Sequence, residues 1–158
     1  GGADVTKLGN RWPKLLDENL GGNTELKWVT GPYSENPDIP INNKINFREI
    51  RSPQNIHKII SWANYALCLF GVSFFEVIKQ GIPTVVISAK NENKNELNEI
   101  RNKKVAIVGK SELDAVIKLK NLMSDKGLAS LLSNNSTKIT SNCDGSRLVN
   151  ELSKIIKC

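Results

Sequence analysis

The chain has 158 residues, of which 39% are hydrophobic and 24% are charged, and its 22 Lys and Arg against 16 Asp and Glu give a net charge of +6. This length and composition suit one domain with its own core and exclude a disordered chain. The lysines are scattered and no arginine-aromatic surface motif accompanies them, which argues against nucleic acid as the partner. No apolar run is long enough to span a bilayer, and no secretory leader pattern is present.

The cysteines indicate the redox compartment of the protein, and the single methionine bears on whether the chain is part of a longer protein. Cys68, Cys143 and Cys158 are far apart and lack paired spacing, so neither a zinc site nor a disulfide framework is predicted. We therefore expect a protein of the reducing cytoplasm. Because Met123 is the only methionine and the chain starts at Gly1, we also expect a piece excised from a longer protein.

The first part of the chain predicts two helices and two strands. They are a helix over 12–20 that stops at Gly21-Gly22, a strand over 26–30 closed by Gly31-Pro32, a strand over 45–50 after a proline-rich loop, and a helix opened by Ser52-Pro53 that carries Ile56, Ile59, Ile60 and Ala63 on one face.

The second part alternates between strands and helices and then becomes helical. In chain order it predicts a strand over 65–69, a helix around Phe74, a strand over 84–87, a helix over 92–101, a strand over 105–108, and helices over 113–123 (capped by Ser111), 128–132 and 147–156. This alternation predicts an α/β fold, a Rossmann-like parallel sheet with helices on both faces, in a single domain over 1–158. Ligands of such folds collect at the carboxyl ends of the strands.

The most informative segment is Gly71-Val72-Ser73-Phe74-Phe75-Glu76, which lies between two apolar strands. A glycine turn there leads into a helix that is predicted to start at the hydroxyl residue Ser73, with Glu76 in its first turn. The N-terminal amides of a helix favour an anion such as a diphosphate, and Glu76 could accept paired hydrogen bonds from a ribose. The segment therefore predicts a nucleotide site.

These residues, followed by Gly81-Ile82-Pro83 and an apolar strand, resemble the nucleotide-binding C-terminal domain of GT-B glycosyltransferases, especially the lipid II-forming N-acetylglucosaminyltransferase group. Three further motifs fit: Gly1-Gly2-Ala3-Asp4 resembles a glycine loop, Gly31-Pro32 follows the next strand, and Asp144-Gly145-Ser146-Arg147 opens the last helix. Together they are similar to the UDP-sugar hydrolase of pseudaminic-acid synthesis and its relatives in spore-coat polysaccharide synthesis.

The resemblance implies a binding role and no catalytic residue, metal or cofactor in this chain. The expected ligand is UDP or a UDP-sugar, and the catalytic groups belong to an N-terminal domain or a separate catalytic subunit. The implied nucleotide-binding residues are Glu76 for the ribose, Ser73 with the amides around Gly71, Val72 and Phe74 for the diphosphate, the backbone at Ser52 and Pro53 for the uracil, Asn93 near the sugar, and Gly2 and Asp4 in the glycine loop.

The chain departs from the family pattern at three places. Leu69 and Phe70 are bulkier than the residues that usually precede the glycine, and Pro53 has no N–H to donate to a base. The family also has a strand before its first glycine loop. Either that strand lies outside this sequence, or Gly1-Gly2 is not that loop.

Two other functions remain open beside the nucleotide-sugar-binding half of a hydrolase or transferase. One is a separate binding subunit of a split glycosyltransferase, and the other is a Rossmann-like domain for another nucleotide. The chain lacks a Gly-x-Gly-x-x-Gly fingerprint, which argues against the second of these. His57, the only histidine, is expected at the surface, and Cys68 is expected to act as a small apolar residue.

Overall fold

The computed structural model describes residue 4 and residues 6–88 and 93–140. A 3-10 turn over Leu8–Asn10 comes first. The helices are α1 (Trp12–Asn19), α2 (Ile56–Ile60), α3 (Val72–Lys79), α4 (Lys94–Asn102), α5 (Glu112–Ser124) and α6 (Lys126–Thr140), and the strands are β1 (Glu25–Thr30), β2 (Asn46–Arg51), β3 (Ala66–Leu69), β4 (Thr84–Ile87) and β5 (Ile107–Val108).

All strand pairing in this part of the chain is parallel, as the alternation of strands and helices predicts. β1 pairs with β2, and a separate sheet has the order β3-β4-β5. The α/β, Rossmann-like class is thus confirmed. The pairing differs from expectation in one respect, because the strands form two small sheets and not one continuous sheet.

Helices cover both faces of the sheet that contains β4. Along this fully buried strand, Val85 and Ile87 belong to a large core cluster with residues of α1 and α5, whereas Val86 belongs to a second cluster with Phe74 and Ile78 of α3. Side chains of a strand alternate between its faces, so the two clusters lie on opposite sides of the sheet. The sequence of β4 is one continuous apolar run because both faces of this strand are covered.

The large cluster also joins the two sheets. Leu26 and Trp28 of β1 and Phe47 of β2 pack against it, as do Leu67 and Leu69 of β3. The Trp28 ring stacks on Phe47 with centroids 6.0 Å apart. One face of each sheet therefore rests on the same layer, in which α1 contacts α5.

Several predicted boundaries are wrong, and each error has a local cause. The helix predicted to open at Ser52-Pro53 begins only at Ile56, because Ser52 adopts a left-handed φ of 44° and the Asn55 side chain caps the Lys58 amide. This helix ends at Ile60, so Ala63 lies beyond it.

The last predicted elements differ in length from those observed. Strand β5 has two residues, and α6 runs for 15 residues where the sequence predicts a short helix over 128–132. Ser111 caps α5 as predicted, since its hydroxyl accepts from the Asp114 amide at 3.2 Å. The predicted helix over 147–156 lies outside the described residues. Among the helices that are described, none is long and apolar enough to cross a membrane.

Candidate functional site

The junction between β3 and α3 forms the centre of the candidate site. Helix α3 begins at Val72, and Gly71 is its N-cap residue. The Phe74 amide donates to the Gly71 carbonyl at 3.1 Å. A Cβ added at Gly71 would meet no heavy atom within 4 Å, so the space next to this turn is open. An anion could therefore approach the first amides of α3, where the helix dipole is most favourable.

The structure corrects the expected positions of Ser73 and Glu76. Ser73 is the second residue of α3 and does not cap it, and Glu76 is the fifth residue, beyond the first turn. Because they are three residues apart, their side chains share one side of the helix. Ser73 is exposed and Glu76 is half-buried. Within the described part of the chain, neither side chain makes a hydrogen bond or ion pair with another residue, so both are free to bind a ligand.

Asn93 is brought to the carboxyl end of the neighbouring strand β4. Its side-chain amide donates to the Ser88 hydroxyl at 2.9 Å, and Ser88 directly follows β4. Leu69 of β3 lies opposite Ile87 of β4, so Gly71 and Ser88 both follow the carboxyl ends of neighbouring parallel strands. The structure thus places Asn93 at the same end of the strands as the start of α3.

The bulky residues before Gly71 are directed into packed clusters. Leu69 packs against the large core cluster, and Phe70 packs against the cluster on the α3 side. The Phe70 ring lies 5.8 Å from both the Phe74 and the Phe75 rings, centroid to centroid. Both bulky side chains are therefore accommodated by packing.

A cavity of about 160 Å³ lies beside the loop that follows β1. It is lined by polar residues from the N-terminal segment and from that loop, namely Asp4, Lys7, Gly9, Asn10, Tyr33, Ser34 and Glu35. Except for Asp4, the sequence did not point to these side chains. The signal that could have found them is the loop position, between Gly31-Pro32 and Pro37, after the carboxyl end of a strand.

Arg51, the last residue of β2, holds this loop in place. Its guanidinium donates to the Ser34 carbonyl at 2.9 Å and to the Asn36 side chain at 2.5 Å, and it forms an ion pair with Glu49 at 3.0 Å. Lys7, which also lines the cavity, has a left-handed φ of 51°. Non-glycine residues in this conformation often mark functional loops. The Tyr33 ring is 84% exposed and offers a flat stacking surface at the cavity.

The Asp4 carboxylate is already engaged by its own loop. It accepts a hydrogen bond from the Gly9 amide at 2.8 Å and one from the Thr6 hydroxyl at 3.1 Å. Partial burial acts to raise the pKa of Asp4, but the bonds from the Gly9 and Leu8 amides and from Thr6 outweigh it and lower the pKa. Asp4 therefore shapes the cavity wall, whatever else it binds. Its neighbour in the predicted glycine loop, Gly2, lies outside the described residues.

We expect Asp4→Asn to weaken the fold in a pH-dependent way. The folded pKa lies below the unfolded value of about 3.9, so ionised Asp4 stabilises the fold above about pH 4, and this contribution is lost as the pH falls through the folded pKa. Urea unfolding should show a loss of about 1 kcal/mol at pH 7, after discounting for solvent screening, and a flatter pH dependence below pH 4. The control is Asp38→Asn, at an exposed position. If the free energy of unfolding depended on pH in the same way in both variants, the stabilising role of ionised Asp4 would be contradicted.

The backbone at Ser52 and Pro53 has no amide available for a base. The Ser52 amide donates to the Thr30 carbonyl at 2.8 Å, which ties the carboxyl ends of β2 and β1 together. Proline has no N–H to donate. A base at this position would meet only the carbonyl groups and the Ser52 hydroxyl.

The remaining reactive residues lie apart from these features. His57 is exposed, as predicted, and its Nδ1 lies 3.2 Å from the Gln80 side-chain amide. Burial raises the pKa of the Cys68 thiol to about 12, so it packs as an uncharged apolar group against the α3 cluster. Within the described residues there is no group of three or more His, Cys, Asp or Glu that could hold a metal ion.

No protein-family model matches the chain, and no curated protein sequence matches it.

Proposed function

We propose that the chain is the nucleotide-sugar-binding half of a GT-B type hydrolase or glycosyltransferase of surface-polysaccharide or nonulosonic-acid biosynthesis. It would bind UDP or a UDP-sugar at the start of α3, and an N-terminal domain or a separate catalytic subunit would supply the catalytic groups. The observation that carries this proposal is the free Ser73 hydroxyl and the free Glu76 carboxylate beside the open turn at Gly71.

The chemistry of each part supports a nucleotide as the ligand. The first amides of α3 favour a diphosphate, and the free carboxylate of Glu76 accepts hydroxyl hydrogen bonds as a ribose would supply them. Carbonyl groups at the ends of β1 and β2, together with the exposed ring of Tyr33, suit the N–H edge and flat face of a base. Among the charged residues that line the cavity, Asp4 and Glu35 outnumber Lys7, which disfavours a second anion there.

A titration with UDP, CMP and NAD tests the proposal. Calorimetry on the isolated chain should show weak binding of UDP, because one half of a cleft cannot close over the sugar. NAD is the comparison for the second candidate function, a Rossmann-like domain for another nucleotide. Binding of NAD without binding of UDP would reject the UDP-sugar assignment.

Glu76 variants locate the site. A carboxylate contributes about 1.5 to 3 kcal/mol per charged hydrogen bond, so we expect Glu76→Ala and Glu76→Gln to weaken UDP binding by at least about tenfold. Helix-dipole effects fade beyond the first turn, so the free energy of unfolding should change by less than about 1 kcal/mol. Glu96→Gln, in the first turn of α4, is the matched control and should bind UDP as the parent does. Undiminished UDP binding in the Glu76 variants would remove this residue from the site.

A further inference from the structure

The cavity of about 160 Å³ beside Tyr33 has a composition that suits a nucleotide base. Its lining combines one aromatic ring with hydroxyl, amide, ammonium and carboxylate groups. Pockets for whole ligands usually measure about 300 Å³ or more, so this cavity fits one ring and not a complete nucleotide. We propose that it holds the uracil ring of the nucleotide and that Glu35 recognises the ring by accepting its N3–H. The inference rests on the proposed function, because it takes the diphosphate to lie at the start of α3.

Tyr33 supplies the flat face of this subsite. The residue follows the carboxyl end of β1 and is 84% exposed. Bases stack on accessible aromatic rings with little regard to their identity, since every base has a π-face. Tyr33 therefore provides affinity for a base but does not choose among bases, and the choice falls to the hydrogen-bonding groups around it.

Glu35 carries the acceptor that is left for the N–H edge of the ring. The Thr30 carbonyl already accepts a backbone amide at 2.8 Å, and the Ser34 carbonyl accepts the Arg51 guanidinium at 2.9 Å. The Asp4 carboxylate accepts two hydrogen bonds from its own loop, at 2.8 and 3.1 Å. Within the described residues, the Glu35 side chain makes no hydrogen bond or ion pair. Its carboxylate can therefore accept an N–H in a strong, charge-assisted hydrogen bond.

The charges and donors of the lining match uracil better than the other parts of the nucleotide. Uracil has two carbonyl oxygens with N3–H between them, and the side chains of Lys7 and Asn10 offer donors for those oxygens. Asp4 and Glu35 outnumber Lys7, so the phosphates are repelled from the cavity and favour the amides of α3. Cytosine has no hydrogen on N3, so its N3 lone pair would face the Glu35 carboxylate. The lining therefore orients the nucleotide and favours uracil over cytosine.

An ion pair between Arg11 and Glu112 places the cavity at the same end of the strands as the start of α3. The Arg11 guanidinium donates to both carboxylate oxygens of Glu112, at 2.6 and 3.0 Å, and to the Thr6 carbonyl at 2.9 Å. Glu112 begins α5, just beyond the carboxyl end of β5, whereas Thr6 and Arg11 flank the cavity residues of the N-terminal segment. Strands β3, β4 and β5 are parallel, so α3 also begins at their carboxyl end. Both parts of the proposed site therefore lie at one end of this sheet.

The two chain segments that line the cavity are bonded to each other. The Asp38 amide, in the loop after β1, donates to the Gly9 carbonyl at 2.8 Å. Arg51 holds the same loop through its bonds to the Ser34 carbonyl and the Asn36 side chain. A prearranged site loses less conformational freedom when its ligand binds. We therefore expect little rearrangement of this loop on binding of the base.

Binding of UDP and of UDP methylated at N3 to Glu35 variants tests the proposal. In the parent chain, N3 methylation removes the donor, and we expect it to weaken binding at least about tenfold. Glu35→Ala should bind UDP at least about tenfold more weakly than the parent does, and N3 methylation should weaken its binding by less than about twofold. The matched control is Glu25→Ala, which alters an exposed glutamate at the opposite end of β1 and should bind both ligands as the parent does.

Tyr33 variants and a ligand without a base complete the experiment. Tyr33→Ala should weaken UDP binding at least about fivefold, and Tyr33→Phe, which keeps the ring, should bind UDP as the parent does. Ribose 5-diphosphate should bind the parent, Tyr33→Ala and Glu35→Ala equally, because it has no base. In the parent chain, NMR should show cross-peaks between the uracil H5 or H6 and the Tyr33 ring, a measurement that requires no variant.

The outcomes separate the base subsite from the proposed function. No binding of UDP to the parent would reject both. UDP binding that depends on Glu76, with the same N3-methyl effect in Glu35→Ala as in the parent, would reject the base subsite alone. Parental UDP affinity of Tyr33→Ala, or the absence of the Tyr33 cross-peaks, would also reject the subsite. Because Tyr33 and Glu35 are exposed, both alanine variants should keep the melting temperature of the parent, which is measured first.

Discussion

Replacing Phe74 with alanine is expected to destabilise the chain by about 3 to 5 kcal/mol, the range for removing a buried aromatic side chain. Phe74 is completely buried in the cluster between α3 and its sheet. Its ring lies 5.3 Å from that of Phe75 and 5.8 Å from that of Phe70. The loss combines removed apolar burial with the cavity left behind. Urea unfolding monitored by circular dichroism measures it.

Phe75→Ala provides the matched control. The residue is next in sequence, belongs to the same aromatic group and sits on the same helix, but it is 53% exposed. Its truncation should cost about 1 kcal/mol or less, since much of the ring is already in water. If the two variants unfolded at the same urea concentration, burial would not distinguish these rings and the described packing of α3 would be wrong.

Gly81→Ala is expected to lower stability by about 2 to 4 kcal/mol, through backbone strain and a steric clash. Gly81 has φ +71°, and its amide donates to the Ile78 carbonyl at 3.0 Å, which ends α3 in a glycine-dependent turn. An added Cβ would lie only 2.8 Å from Thr137 Cγ2 and 3.2 Å from Ser133 Oγ on α6. We expect the melting temperature to fall by roughly 5 to 15 °C.

Gly21→Ala separates these effects from the general consequence of adding a methyl group. A Cβ at Gly21 would meet no heavy atom within 4 Å, and its backbone has no left-handed φ. The substitution should leave the free energy of unfolding within about 1 kcal/mol of that of the parent. A Gly81→Ala variant that melts like Gly21→Ala would contradict the close approach between the end of α3 and α6.

The sequence by itself determined the elements whose signals are local. The apolar run at β4 with its flanking Gly81 and Pro83, the Gly21-Gly22 pair that follows α1, and the Ser111 cap of α5 each act within a few residues, and the structure has these elements where the sequence predicts them to within one residue. The strand and helix alternation likewise determined the parallel α/β class, because parallel strands need crossover connections.

Only the tertiary structure decided how these elements meet. The cavity is lined by residues around Lys7 and residues around Tyr33, which are far apart in the chain, and the described strands pair into two sheets and not one. The secondary-structure preferences of a short segment do not depend on residues far away in the chain, so they cannot predict such contacts. Within the described residues, the lack of a partner for Glu76 likewise depends on which groups meet across the molecule, and the order of residues along the chain does not specify those partners.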